Sequence, residues 1–167
     1  MTIQFRPERL TEARRAVAYA SGYWREELVT DILARNAVRY PEGLAVVDGE
    51  RRLSWEALNR LSCRFALHLV QLGIDPGDAV ALQLPNWAEY LICYFGIQLA
   101  GALVVQPGSD WREIETAYAL RFGPARAVII PAVFQSHDYQ AMLRKLQPGL
   151  PELTHVLVAR GLPLEGF

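Results

Sequence analysis

Three short apolar, partly β-branched runs constrain this chain more than any other feature: residues 79–84, 102–105 and 126–130, each separated from the next by a segment of helical spacing. A run of four to six apolar residues between turn signals fits a strand buried on both faces. Strands of that kind alternating with helices predict a parallel sheet with helices packed on both sides. A fourth run at 155–158 extends it. Upstream, Leu44-Ala45-Val46-Val47, the turn pair Asp48-Gly49 and Arg51-Arg52-Leu53 predict a β-hairpin. The expected fold is therefore α/β: a doubly wound, mostly parallel sheet with helices on both faces and an N-terminal hairpin. Ligands of such sheets approach the carboxyl ends of the strands. Here those ends are Pro85-Asn86-Trp87, residues 106–112 and residues 131–137.

Five helices are expected from caps and periodicity. Thr30 caps one through Arg39, stopped by Pro41. Ser54 caps the next, whose stripe is Leu58, Leu61, Phe65, Leu69 and Leu72, with Gly73 as terminator. Asn86 with Glu89, and Asp110 with Glu113, open two more in the manner of a capping box. A fifth covers residues 139–146 and stops at Pro148-Gly149. Residues 90–109 carry no charge and reach membrane-spanning length. Gln98, Gly101 and Gln106 interrupt that run and Pro107 closes it, so a buried helix followed by a buried strand is expected, with no transmembrane segment.

The 167 residues are 51% apolar with a net charge of −1, which excludes a disordered chain and gives no basic excess for nucleic acid. Cys63 and Cys93 fall on two different helices and are expected as two reduced core thiols. The start, with Arg6, Glu8 and Arg9, lacks the apolar stretch of a signal peptide, so a cytoplasmic location is expected. Sixteen arginines stand against a single lysine, Lys145, so any chemistry needing a lysine has one candidate.

The sequence also lacks several kinds of chemistry. No G-x-G and no Walker loop occurs in the 167 residues, so the clustered glycines that cradle a triphosphate are missing. Ser136-His137-Asp138 resembles a triad only in composition, because three consecutive residues cannot face one another as nucleophile, base and orienter. Gly108-Ser109-Asp110 lacks the second glycine of a nucleophile elbow. Glu113 and Glu115 are two apart on a helix and do not pair. The residues show no self-sufficient active site.

Ordered strings nevertheless carry an identity. They are Gly22-Tyr23-Trp24, Tyr40-Pro41-Glu42, Ala45-Val46-Val47-Asp48-Gly49, Leu53-Ser54-Trp55-Glu56-Ala57-Leu58 and Gly73-Ile74-Asp75-Pro76-Gly77-Asp78. Then follow Gln83-Leu84-Pro85-Asn86-Trp87-Ala88-Glu89, Gly101-Ala102, Trp111-Arg112-Glu113 and Ala127-Val128-Ile129-Ile130-Pro131. In this order and spacing, over about residues 19–160, the chain resembles the N-terminal third of AMP-forming acyl-CoA synthetases in the adenylate-forming superfamily. Two branches share the Gly-Tyr-Trp and Gln-Leu-Pro-Asn strings: short- and medium-chain or alicyclic acyl-CoA ligases, and aryl-acid AMP ligases. Residues 109–113 and 131–158 favour the first.

The resemblance implies a single N-terminal subdomain over residues 1–167, ending before the phosphate loop, with residues 1–27 as a helical extension. It implies that the complete family member joins a small carboxylate to CoA using ATP and magnesium, releasing AMP and pyrophosphate. It also implies that this chain alone holds no cofactor and is inactive, with no catalytic or metal residue to carry over. In relatives the loop after the strand at Val104-Val105 approaches CoA, which points here to Gly108, Ser109 and Arg112. A non-catalytic α/β interaction module, self-associating through exposed apolar surface, and a small flavodoxin-like binding domain remain the alternatives.

Overall fold

The computed structural model describes residues 11–165. The charged start at residues 1–10, from which no signal peptide is expected, lies outside the described residues. Two helices come first, α1 (Glu12–Ala20) and α2 (Val29–Arg39). The hairpin β1 (Leu44–Asp48) and β2 (Arg51–Ser54) follows, turning at Gly49, whose φ of 58° a glycine adopts without strain.

Four parallel strands form the central sheet: β3 (Ala79–Leu82), β4 (Leu103–Val105), β5 (Ala125–Pro131) and β8 (His155–Ala159), in the order β4-β3-β5-β8. Alternation along the two inner strands assigns the faces. Val80, Leu82, Ala127 and Ile129 point one way, into a core with Ala66 and Leu69 of α3 (Trp55–Gln71) and Cys93 and Ile97 of α4 (Ala88–Leu99). Ala81, Val128 and Ile130 point the other way, against Leu120 of α5 (Glu113–Phe122) and Tyr139, Met142 and Leu143 of α6 (Tyr139–Leu146). Because both faces are covered, β3 shows no polar alternation at all. A third cluster, with Leu33, Val46, Leu53, Leu58 and Ala88, ties α2 and the hairpin to α3 and α4. The expected architecture is present, and the uncharged run resolves into α4 and β4; β4 is not the buried strand expected, because it lies at the sheet edge with Leu103 exposed and Val104 and Val105 half-buried. Among the described residues no helix is long and apolar enough to cross a membrane.

Several local expectations are corrected. Thr30 does not cap α2: it is buried in the first turn, and the Asp31 carboxylate accepts from the Leu28 N–H at 2.8 Å. Asn86 does not open α4. Its first amide, Ala88 N–H, donates to Asp48 Oδ2 at 3.0 Å, so this cap comes from the hairpin, forty residues upstream. Asp110 does not open α5 either; the helix starts at Glu113, and Glu115 accepts from Arg112 N–H at 3.3 Å. Ser54 and Gly73 act as expected, the former accepting from Ala57 N–H at 3.2 Å and the latter lying at φ 80°. A short hairpin, β6 (Val133–Phe134) and β7 (His137–Asp138), was not expected. Its turn places Gln135 and Ser136 at φ 47° and 61°, positions that Asn-Gly would normally announce.

The two thiols also part company. Cys93 is buried, but Cys63 is exposed on α3, so only one is a core residue. Burial, with the nearby Glu89 charge adding to it, pushes the Cys93 thiol up to about 12. A thiol reagent at neutral pH is expected to titrate one cysteine per native chain and both in denaturant, since attack needs access and thiolate.

Candidate functional site

The carboxyl edge of the sheet carries the polar residues that the strands do not. Immediately after β3, Gln83 is fully buried. Its Nε2 donates to the Gly108 carbonyl at 3.0 Å, the Trp111 carbonyl at 3.3 Å and Thr116 Oγ1 at 3.0 Å. Its Oε1 is buried without a partner. From the other side the fully buried Tyr139 donates its hydroxyl to the Ser109 carbonyl. One residue just past β3 and the first residue of α6 thus hold the 106–112 loop.

The sequence-derived candidates Gly108, Ser109 and Arg112 all lie in this loop, and each has a structural role there. A Cβ at Gly108 would stand 2.6 Å from Asp110 Oδ1 and 2.9 Å from the Trp111 ring, so glycine is needed for the loop to fold on itself. Ser109 is used through its carbonyl. Arg112 Nη1 donates to the Trp111 carbonyl at 3.0 Å, and its guanidinium lies 6.0 Å from the centre of the Tyr139 ring.

The triad-like string, not expected to be catalytic, and the lone lysine have structural partners. His137 Nε2 sits 3.4 Å from Met142 Sδ and its ring packs edge-on against Tyr139. Burial, followed by the Arg112 charge, lowers the His137 pKa. Asp138 caps α6, accepting from Ala141 N–H at 2.9 Å. Lys145 pairs with Glu113 at 3.0 Å on the exposed surface, where such a pair contributes little. Among the described residues no three His, Cys, Asp or Glu side chains group to hold a metal.

A charged cluster completes the edge. Arg160, just past β8, bonds to Asp48 of the hairpin and to Glu89 of α4, the latter through Nε at 3.1 Å and Nη2 at 2.8 Å. Arg51 pairs with the other Glu89 oxygen. The Arg160 guanidinium lies 4.2 Å from the centre of the Trp87 ring, which meets Phe134 edge-on at 5.6 Å. The Ala88 N–H and then Arg160 hold Asp48 below the usual carboxylate range. For Glu89, burial raises the pKa, but the Arg160 hydrogen bond and charge outweigh it and the net shift is down. Both carboxylates then stabilise the fold fully at neutral pH. That contribution is expected to fall as pH drops through about 4 toward the depressed native values. Thermal scans across that range check this: Asp48→Asn should flatten the acid limb relative to wild type.

Sequence reasoning missed Gln83, Tyr139, Asp48 and Arg160. One signal was available: Gln83 is the lone polar residue in the run 79–84, and a polar side chain buried in such a run is nearly always hydrogen-bonded.

Comparison with known proteins follows the same outline. The family described as AMP-binding enzyme matches residues 33–166. The chain is 36% identical over 152 residues to the salicyl-AMP ligase / salicyl-S-ArCP synthetase of Mycobacterium tuberculosis, covering 87% of this chain and 27% of that protein. It is 33% identical over 163 residues to the 2,3-dihydroxybenzoate-AMP ligase of Bacillus subtilis, covering 95% of this chain and 30% of that one. The Mycobacterium smegmatis MbtA apo structure superposes with a TM-score of 0.81 at 36% identity, over 90% of this chain and 28% of that structure. The chain thus spans less than a third of each of these three relatives. It belongs to the AMP-binding enzyme family and is similar to the aryl-acid AMP ligases named above.

Proposed function

We propose that this chain is the N-terminal subdomain of a ligase that activates an aryl carboxylic acid with ATP. The substrate carboxylate attacks the α-phosphorus, an acyl–O–P bond forms and pyrophosphate leaves. A thiol then attacks the acyl carbon and AMP leaves with the electron pair. The observation that carries this reading is the 36% identity over 152 residues to a relative named for salicyl-AMP formation. The dihydroxybenzoate-AMP ligase supports it. The acyl-CoA branch favoured by residues 109–113 and 131–158 becomes the competing assignment.

In this proposal residues 1–27 are an N-terminal extension and the whole chain is a cytoplasmic scaffold. The loop carrying Gly108, Ser109 and Arg112 borders the thiol substrate, whether CoA or a carrier-bound phosphopantetheine. Arg112, the cation of that loop, is the group suited to a phosphate of either. With no clustered glycines in the sequence, the 167-residue chain by itself is expected to release no pyrophosphate from ATP with any acid.

The test is acid-dependent exchange of labelled pyrophosphate into ATP by the product of the complete reading frame. Exchange with salicylate or 2,3-dihydroxybenzoate well above hexanoate supports the aryl assignment. The reverse ranking selects the acyl-CoA branch, and no exchange with any acid overturns the reading.

A further inference from the structure

Beyond β8 the described chain takes a defined course. Arg160 has a φ of 52°, uncommon for a residue with a side chain. Gly161 then passes so close to Ala132, at the end of β5, that a Cβ would lie 2.3 Å from the Ala132 Cβ. Gln140, almost fully buried in the first turn of α6, takes hold of the next residues with both ends of its amide. Its Nε2 donates to the Leu162 carbonyl at 3.1 Å, and its Oε1 accepts from the Leu164 N–H at 2.7 Å. One turn on, Arg144 donates to the Glu165 carbonyl at 3.2 Å. Residues 160–165 are exposed in themselves and bury little of their own. Their path therefore depends on these few contacts.

We infer that Arg160 is a positioning residue. By bridging Asp48 and Glu89 over the Trp87 ring, it turns the chain leaving β8 back across the end of β5, so that Gln140 clips residues 162–164 on the α6 side of the sheet. The left-handed backbone at Arg160 persists because the side chain is fixed at three points: two carboxylates and one ring face. A guanidinium suits this role because it is planar, forks between acceptors and stacks on an aromatic face, whereas an ammonium does not. The same bridge ties the hairpin to α4, so the course of residues 160–165 is coupled to a residue 112 positions upstream. That the following polypeptide contains the remainder of a ligase rests on the reading above; the course of residues 160–165 does not.

The experiment reads direction as well as order. In a Cys63→Ser background, Glu165→Cys carries a nitroxide label, Cys93 being buried and unlabelled. Amide signals of α6 should broaden and those of α3 should not. With Arg160→Gln, broadening of α6 should fall by half or more and spread, and exchange of the Leu164 amide should speed up about tenfold, while the Ile129 amide in β5 keeps its protection. Arg160→Lys should not restore the wild-type pattern. Should Arg160→Gln fail to fold, Asp48→Asn, which keeps an oxygen to cap Ala88, should shift both readouts the same way. Unchanged α6 broadening and unchanged Leu164 exchange in the folded variants would overturn the inference. No substrate enters these readouts, so failure here leaves the ligase assignment standing, and failure of pyrophosphate exchange leaves the exit path standing.

Discussion

Gly96→Val is expected to lower the melting temperature by about 6–12 °C, corresponding to about 3 kcal/mol for a chain of this size. Helices α3 and α4 meet at this glycine. A Cβ there would lie 2.7 Å from Phe65 Cδ1 and 3.0 Å from the Ser62 backbone carbonyl. The ring can rotate away, but the carbonyl belongs to α3 and yields only if the helices separate. Separation opens the core in which Leu69, Cys93 and Ile97 pack against Val80 and Leu82. Valine also brings a β-branched side chain that helices tolerate less well than alanine. Gly96→Ala should lose less, because its gain of up to about 1 kcal/mol in helix propensity offsets part of the overlap. Ser62→Ala is the control. The Ser62 hydroxyl is buried at the same crossing with no partner, so removing it should be neutral or slightly stabilising. Circular dichroism melts of the three variants separate a steric cause from a general sensitivity of the interface.

How much of this was legible beforehand depends on whether the cause was local. The strand pattern was legible because burial on two faces leaves its mark within four residues, as at Val80, Ala81 and Leu82. Ser54 was legible because its cap reaches three residues along the chain. The α4 cap was not, since Asp48 reaches Ala88 through the tertiary fold and Asn86 offered a plausible local substitute. Cys63 was misplaced because a helix built on Leu58 and Leu69 also has an outer face, and a thiol does not declare which side it takes. The Gln135-Ser136 turn gave no sign, because neither residue is a common left-handed former. The 106–112 loop follows β4, where strand-end logic places it. Its supports were not legible, because Gln83 and Tyr139 act across 25 to 30 residues of sequence.

Gln83→Leu is expected to be the largest loss at the candidate site, about 2–4 kcal/mol, although leucine keeps the volume and suits an apolar strand. The substitution removes one amide nitrogen and strands three acceptors at once: two loop carbonyls and Thr116 Oγ1. The loss is tempered in two ways. The wild-type Oε1 is already unpartnered, so its burial cost disappears with it. The Gly108 and Trp111 carbonyls are only partly buried and can turn toward water if the loop lifts. Lifting the loop carries Trp111 off Gly108, so a red shift in its emission should accompany the drop in melting temperature. Gln83→Glu sharpens the contrast. A carboxylate has no donor for these acceptors, and its charge would be buried among carbonyl oxygens, so it should be tolerated no better than leucine at neutral pH and should recover in acid as the group protonates and regains a donor. Tyr139→Phe removes the other tether, one hydroxyl on the Ser109 carbonyl, and should cost about 1 kcal/mol alone. Because both tethers hold one loop, the double variant should depart from additivity, and the sign of that departure tells whether the loop is released by either tether or only by both.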